Sequence, residues 1–364
     1  MFLKLSHRTG PSFRSLKSVL LKGIAGQDRI SAAVSDIPVP SIGPGEVLVE
    51  MSACGLCGTD IEKLYGEYTA AMPVIGHEAV GVVVAVGKGV VGVSERDRVF
   101  PHHHVPCHEC YYCKHGCETM CNSYKTSNLD PGGFSEFFRV PSWNVSRGGV
   151  LHLPSQVGDE EATMIEPVAC CIRALAKCGV RENDSVLVVG AGPVGMSHAL
   201  LLNSMKANVA ISDVSEPRLR FAERARVGKV LDASERNIPG AMKEETRGRG
   251  ADLAIVATGS QGAITQALKS VRKGGVVCLF GIPIKGTVLE SSVSDLYNSD
   301  ISVIPSYGAT DTDTANALDF IARRHAKFEP LITHEFRLEE FTQGVRAAVN
   351  GTAMKVVITG SRGA

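Results

Sequence analysis

Through its first 150 residues the chain alternates short apolar runs with Gly and Pro punctuation. Ile42-Gly43-Pro44-Gly45-Glu46 leads into Val47-Leu48-Val49. Ala79 to Val91 is a valine-rich run broken by glycine, and Val99-Phe100 resumes after the polar Ser94 to Arg98. Such runs, bounded by turn residues, predict strands and a mostly β first portion. After Leu153-Pro154 the pattern changes. Apolar positions at helical spacing from Glu160 to Cys178 precede the continuous run Ser185-Val186-Leu187-Val188-Val189. Similar runs recur at Val209 to Asp213, Leu253 to Val256 and Val276 to Phe280, with helical stretches between. Apolar strands alternating with helices predict an α/β, doubly wound parallel sheet. Ala315 to Ala326 and Leu338 to Val349 read as further helices and Lys355 to Thr359 as a last strand.

At 364 residues the chain is long enough for two domains. Its 38 basic and 38 acidic residues balance, which gives no general attraction to nucleic acid or anionic lipid. No apolar run reaches 18 residues, so no membrane-spanning helix is expected. Met1 to Gln27 contains no Asp or Glu but carries Lys4, Arg8, Arg14, Lys17 and Lys22, a composition shared by mitochondrial transit peptides and by plain N-terminal extensions. The regular pattern begins near Leu16. Eleven cysteines, five of them between Cys107 and Cys121, read as metal ligands in a reducing compartment, cytoplasmic or organellar, rather than as a disulfide framework.

Gly190-Ala191-Gly192-Pro193-Val194-Gly195 follows one apolar strand and opens an apolar helix, with Asp213 ending the next strand. In that context the glycines mark a dinucleotide turn: Gly190 for the tight bend, Gly192 for backbone approach to the pyrophosphate, Gly195 for helix packing. Asp213 should accept from the adenosine ribose and repel a 2′-phosphate, favouring NAD over NADP. Arg218, five residues on, either softens that preference or is a solvated residue of the following helix.

Cys107, Cys110, Cys113 and Cys121 follow C-x2-C-x2-C-x7-C, a spacing for a closed, structural zinc site. Cys117 is a spare inside the lobe, and His108 and His115 read as solvent-facing. A second constellation comes from separate segments: Cys57-Gly58-Thr59-Asp60, Gly76-His77-Glu78 and Met164-Ile165-Glu166-Pro167. One Cys, one His and a carboxylate make an open, catalytic zinc site with a position left for substrate. Glu78 and Glu166 compete for the third ligand position. Asp60 is placed to orient His77 from behind. Cys54 and Cys57 form a C-x-x-C that would also serve a redox pair, although nothing like a thioredoxin unit surrounds it.

With these motifs the chain resembles the zinc-containing medium-chain alcohol dehydrogenase superfamily, in its polyol (sorbitol) and threonine dehydrogenase branch. The resemblance runs from about Leu16 to Thr359 and includes Lys355-Val356-Val357-Ile358. It implies an N-terminal extension over 1–16, a GroES-like β-rich catalytic domain over 17–155 with its zinc lobe at 107–121, a Rossmann domain over 156–300, and a C-terminal return to the catalytic domain over 301–364. It further implies catalytic zinc on Cys57, His77 and a glutamate, two zincs per chain, and Thr59 as the hydroxyl that passes on the substrate proton. Glu166, where ethanol-type enzymes carry cysteine, points to the polyol and threonine branch.

Glu62 departs from the histidine found five residues after the ligand cysteine in many polyol and threonine enzymes, which leaves sorbitol or threonine itself in doubt. His102-His103-His104 is a second departure; one of the three could reach the substrate pocket, but on a strand its members alternate in direction, which favours a mixed surface and packing role. The expected activity is reversible hydride transfer between an alcohol and NAD. L-threonine 3-dehydrogenase, simple alcohol dehydrogenase, a carbonyl reductase, or a nucleotide-binding protein without catalytic zinc are the alternatives. Loops after Thr59, around Tyr65 and near Ile282 to Ser306 are expected to line the substrate pocket, and a homodimer or homotetramer is the expected assembly.

Overall fold

The computed structural model describes residues 15–23, 30–64 and 75–360. Most of the expected N-terminal extension, Gln27 and Tyr65 lie outside them. The chain divides into two compact units. One takes the residues up to Thr163, Glu335–Val345 and those from Val357 on, and the other takes Met164–His334 and Arg346–Val356.

The first unit is β-rich, as its short punctuated runs predict. Its elements are β1 (Leu16–Gly23), β2 (Ile30–Ile37), β3 (Val47–Gly55), α1 (Gly58–Leu64), β4 (Glu78–Val86), β5 (Arg98–Pro101), α2 (Tyr111–Lys114), β6 (Phe137–Val140), α3 (Ser142–Ser146), β7 (Val150–His152) and α4 (Asp159–Ala162). β1 and β2 pair as an antiparallel hairpin. Leu16 and Val19 are buried in it, so the acid-free stretch is part of the fold over Leu16–Gly23. β3 alternates strictly along its outer half, with Val47, Val49 and Met51 buried, and becomes wholly buried toward the site. Cys54 opposite Ala79 and Gly55 opposite Glu78 fix the register of β3 against β4. That register brings the end of one strand, just before Cys57, against the start of the other.

The second unit holds α5 (Ile165–Cys178), β8 (Ser185–Val189), α6 (Pro193–Ser204), β9 (Asn208–Asp213), α7 (Glu216–Ala225), β10 (Lys229–Asp232), α8 (Ile238–Glu245), β11 (Ala251–Val256), α9 (Gln261–Ser270), β12 (Val271–Leu279), α10 (Val293–Ser299), β13 (Ser302–Pro305) and α11 (Asp311–Ala322). Then follow β14 (Ile332–Arg337), α12 (Phe341–Val349) and β15 (Lys355–Thr359). Six parallel strands lie in the order β10-β9-β8-β11-β12-β13, a doubly wound sheet whose order reverses at β8. β14 and β15 join the antiparallel sheet, ordered β14-β15-β3-β4-β5-β7 with β6 beside β3.

These limits correct the expected boundaries at 155/156 and 300/301. α4 packs on β3 and β4, and β13 and α11 belong to the parallel sheet and to α5. The linker between the periodic patterns lies inside a unit, so texture alone misplaced the division.

Candidate active site

Cys57 stands between the end of β3 and the first turn of α1, and Glu78 opens β4. The metal-binding atoms of Cys57, His77 and Glu78 lie within 4.8 Å of one another. Asp60, fully buried in α1, ties their segments together: its Oδ2 accepts from the Cys57 N–H at 3.1 Å and its Oδ1 from the Gly76 N–H at 3.1 Å. The same Oδ1 is 3.5 Å from His77 Nδ1, which leaves Nε2 as the nitrogen free for a metal. Gly76 has φ +81, and a Cβ there would fall 2.5 Å from the Phe134 nitrogen, so only glycine makes this turn. The Thr59 N–H donates to Cys57 Sγ at 3.5 Å, and Thr59 Oγ1 lies 3.5 Å from the same sulfur.

Burial opposes a charge on His77, but the Asp60 carboxylate and then Cys57 outweigh it and hold the imidazole well above its ordinary value. Burial likewise opposes the charge on Asp60, and His77 leads the groups that hold it lowered. A thiol, two carboxylates and one imidazole gathered in a half-buried cluster suit a cation. A borderline-soft ion with three protein ligands and an open position fits this donor set.

Of the two competing glutamates, the cluster contains Glu78. Glu166 sits in the second unit, in the first turn of α5, where its Oε1 accepts from Cys170 Sγ at 3.3 Å. Cys54 is buried beside the site, its thiol 3.8 Å from its neighbour's carbonyl, Gly55 O.

The histidine triplet differs from the alternating strand expected. β5 ends at Pro101, and the triplet follows it in a loop whose backbone is pinned from two sides. Asn144 Nδ2 donates to the carbonyls of His102 at 2.7 Å and His103 at 3.1 Å, and Ser127 Oγ donates to His103 O at 3.4 Å. None of the three is exposed. The His103 ring lies 5.0 Å from that of His77, and His104 lies 4.0 Å from His103. Burial keeps all three uncharged, with His102 lowered to about 3 and His104 to about 4. The triplet was visible as a motif; its approach to His77 depends on Asn144 and Ser127, whose partners no local pattern reveals.

In the lobe, Cys107, Cys110, Cys113 and Cys121 form the second cluster. Their sulfurs lie 3.9 Å (Cys107–Cys113), 3.6 Å (Cys110–Cys113) and 3.5 Å (Cys107–Cys121) apart. Zinc–sulfur bonds of about 2.3 Å in a tetrahedron require edges of about 3.8 Å, so the four thiols fit one zinc. Backbone N–H groups of Glu109 and Cys110 point at Cys107 Sγ and hold its thiol down to about 6. Cys117 is exposed and turned to His115 O at 3.7 Å, outside the set. His115 stacks on Tyr111 at 4.0 Å.

In the second unit Pro193 opens α6, where its missing N–H costs nothing. A Cβ on Gly195 would fall 1.8 Å from Gly190 O, and Gly190 has φ +107. A Cβ on Gly192 would meet only the Arg218 guanidinium, at 3.9 Å, so that face of the loop stays open for a phosphate. Asp213 Oδ2 accepts from the Ala191 N–H at 2.7 Å, and Oδ1 accepts from Val214 and Ser215 at 2.8 and 2.9 Å. Arg218 does not point away into solvent; Nη1 is 3.8 Å from Asp213 Oδ2.

Two family descriptions match the sequence: the alcohol dehydrogenase GroES-like domain over residues 43–152 and the zinc-binding dehydrogenase over 193–323. A sorbitol dehydrogenase of Halalkalibacterium halodurans is 31% identical over 333 residues, 90% of this chain and 95% of that protein. The chain belongs to the zinc-containing medium-chain alcohol dehydrogenase superfamily. Within it, an L-threonine 3-dehydrogenase of Yersinia pestis is 29% identical over the same shares of both chains, which places this dehydrogenase in the polyol and threonine branch. A solved structure from Sinorhizobium meliloti, described as a zinc-binding dehydrogenase bound to NADP, is similar at 25% identity and a TM-score of 0.84, over 95% of this chain and 99% of that one. This chain is a zinc dehydrogenase by its family, with a GroES-like and a Rossmann unit. No helix among the described residues is long and apolar enough to cross a membrane.

Proposed function

We propose that the protein oxidises a polyol or other secondary alcohol with NAD, reversibly, at a zinc held by Cys57, His77 and Glu78. The observation that carries this reading is the convergence of those three ligand atoms, with Asp60 behind two of their segments. Zinc there supplies a Lewis acid, able to take the pKa of a coordinated water from 15.7 to about 7. Asp60 fixes the His77 ring and its tautomer. The Thr59 hydroxyl, beside the ligand sulfur, takes the alcohol proton toward solvent, and its N–H steadies the thiolate. Glu166 is left as a carboxylate of the nucleotide unit. A second, structural zinc belongs to the four cysteines of the lobe.

Replacing Cys57 with Ala tests the assignment. Turnover is expected to vanish, zinc to fall from two to one per chain, and NADH binding, followed by fluorescence, to persist; retained turnover overturns it.

NAD is the cofactor we propose, with Gly190, Gly192, Pro193, Val194 and Gly195 around the pyrophosphate and Asp213 at the ribose. Three backbone N–H groups aim the Asp213 carboxylate and Arg218 partly offsets its charge, so NADP is disfavoured rather than excluded. Asp213→Ser is expected to raise the NADP-to-NAD ratio of kcat/KM at least tenfold. An unchanged ratio removes Asp213 from cofactor choice.

The assembly we propose is a homodimer or homotetramer. Its support is the exposed Val293 and Tyr297 of α10, near the edge strand β13. A cytoplasmic or matrix location suits the unpaired thiols of both clusters.

A further inference from the structure

Cys178 and Cys278 belong to neither metal cluster, yet their thiols meet. Cys178 is the last residue of α5, where Gly179, with φ +66, turns the chain out of the helix. Cys278 lies within β12, opposite Ile255 of β11 on one side and Ile304 of β13 on the other. α5 packs on β12, and the two side chains share a hydrogen bond between helix end and strand. The two residues are far apart in sequence, so the tertiary fold and not a local turn makes this contact.

The two thiols are unlike. Cys278 is fully buried, whereas Cys178 is half-buried at the end of its helix. The hydrogen of the shared bond stays on Cys278, whose thiol is raised first by that bond and then by burial. Cys178 accepts it. Its thiol is lowered, chiefly by the Cys278 bond working against burial, with the Lys177 charge adding to the effect. Lys177 Nζ donates to Pro305 O at 2.5 Å, at the end of β13. A helix C-terminus disfavours an anion, and the Cys278 S–H and the Lys177 ammonium offset that. Cys171, two turns back in α5, gives the contrast: it is wholly buried, its Sγ is 3.9 Å from Val194 O, and burial holds its thiol well above the ordinary value. A half-buried sulfur with thiolate character and a second thiol in contact is the arrangement that oxidises selectively.

We propose that Cys178 and Cys278 form a hydroperoxide-reactive dithiol that closes to an internal disulfide and ties α5 to the parallel sheet. The Cys178 thiolate attacks a peroxide oxygen; an S–O bond forms, the O–O bond breaks, and the departing oxygen takes a proton from solvent. The Cys278 sulfur, losing its proton, then attacks the Cys178 sulfenic sulfur. The S–S bond forms, the S–O bond breaks, and water leaves. The two thiols give up two electrons, which the peroxide takes. A small dithiol reverses the step by exchange. Neither cysteine is among the residues assigned to zinc or to NAD, so this inference stands apart from the alcohol chemistry.

The test treats the full-length protein with increasing hydrogen peroxide and maps its cysteines by mass spectrometry of the unreduced digest. A linked Cys178–Cys278 peptide is expected first, with two thiols lost per chain while Cys171 stays reduced, and dithiothreitol is expected to restore both. In Cys178→Ser the link disappears and oxidation of Cys278 slows by at least about tenfold. In Cys278→Ala the Cys178 sulfenic acid has no partner and is captured by dimedone. Cys178→Ser changes a half-buried position and carries the test even where Cys278→Ala fails to fold.

Cys178 driven to sulfinic acid while Cys278 remains a thiol overturns the proposal. So does Cys178 joined to any other cysteine, or a pair still reduced when the lobe cysteines have formed disulfides. Cys278 oxidising as fast in Cys178→Ser as in the wild type overturns it equally, because Cys178 is then not the attacking sulfur.

Discussion

His198 shows how much a single buried side chain can weigh. It lies in α6, behind the glycine loop, fully buried and edge-on to Phe280 at 4.6 Å. Neither ring nitrogen has a hydrogen-bond partner, and burial holds the imidazole down to about 3. Below the ordinary histidine value the unfolded chain takes up a proton that the folded chain refuses. Stability from this residue therefore falls as pH drops from about 6.5 toward 3, and the loss reaches about 2 kcal/mol at pH 5. In His198→Leu the drop in melting temperature between pH 7.5 and pH 5 is expected to be smaller than in the wild type. A drop of equal size means that the residue is not held neutral. At this scale the sequence was partly legible. Cys57, His77 and the four lobe cysteines announce themselves by residue type and spacing. The choice of Glu78 as the clustered carboxylate does not, because it depends on the β3–β4 register that sets Glu78 opposite Gly55. The inward turn of His103 depends on Asn144, over forty residues away, in the same manner.

Among the elements, the lobe is the clearest case of chemistry supporting structure. Its helix α2 has four residues, none of them buried, and a single 3-10 turn follows at Glu118–Met120. So little apolar contact cannot hold a loop in place, and a zinc on the four thiols would supply what packing does not. Cys110→Ser is expected to remove one zinc per chain and lower the melting temperature by several degrees, with the Cys57–His77–Glu78 zinc retained. Loss of both zincs together contradicts two independent sites. In the parallel sheet β8, β9 and β11 were legible because their centres are apolar, and each falls within two residues of the run that predicted it; β10, which begins and ends on Lys229 and Asp232, and the short β13 were not. The domain limits were not. α4 carries helical spacing like the helices beyond it, yet packs on β3 and β4, a partner choice that periodicity cannot express.

At the scale of the whole molecule, we propose that one chain carries a nucleotide unit and an open zinc centre and couples them in the oxidation of an alcohol. Asp60, the glycine loop and Asp213 are each fixed by backbone N–H groups, so both sites are built before any ligand arrives. The most direct test is NADH formation from a polyol or other secondary alcohol, read at 340 nm, before chelation, after the accessible zinc is stripped, and after zinc is returned. Turnover is expected to disappear when one of two zincs is lost and to recover with it, while NADH binding stays unchanged throughout. Turnover that survives removal of the zinc at Cys57, His77 and Glu78 contradicts the account.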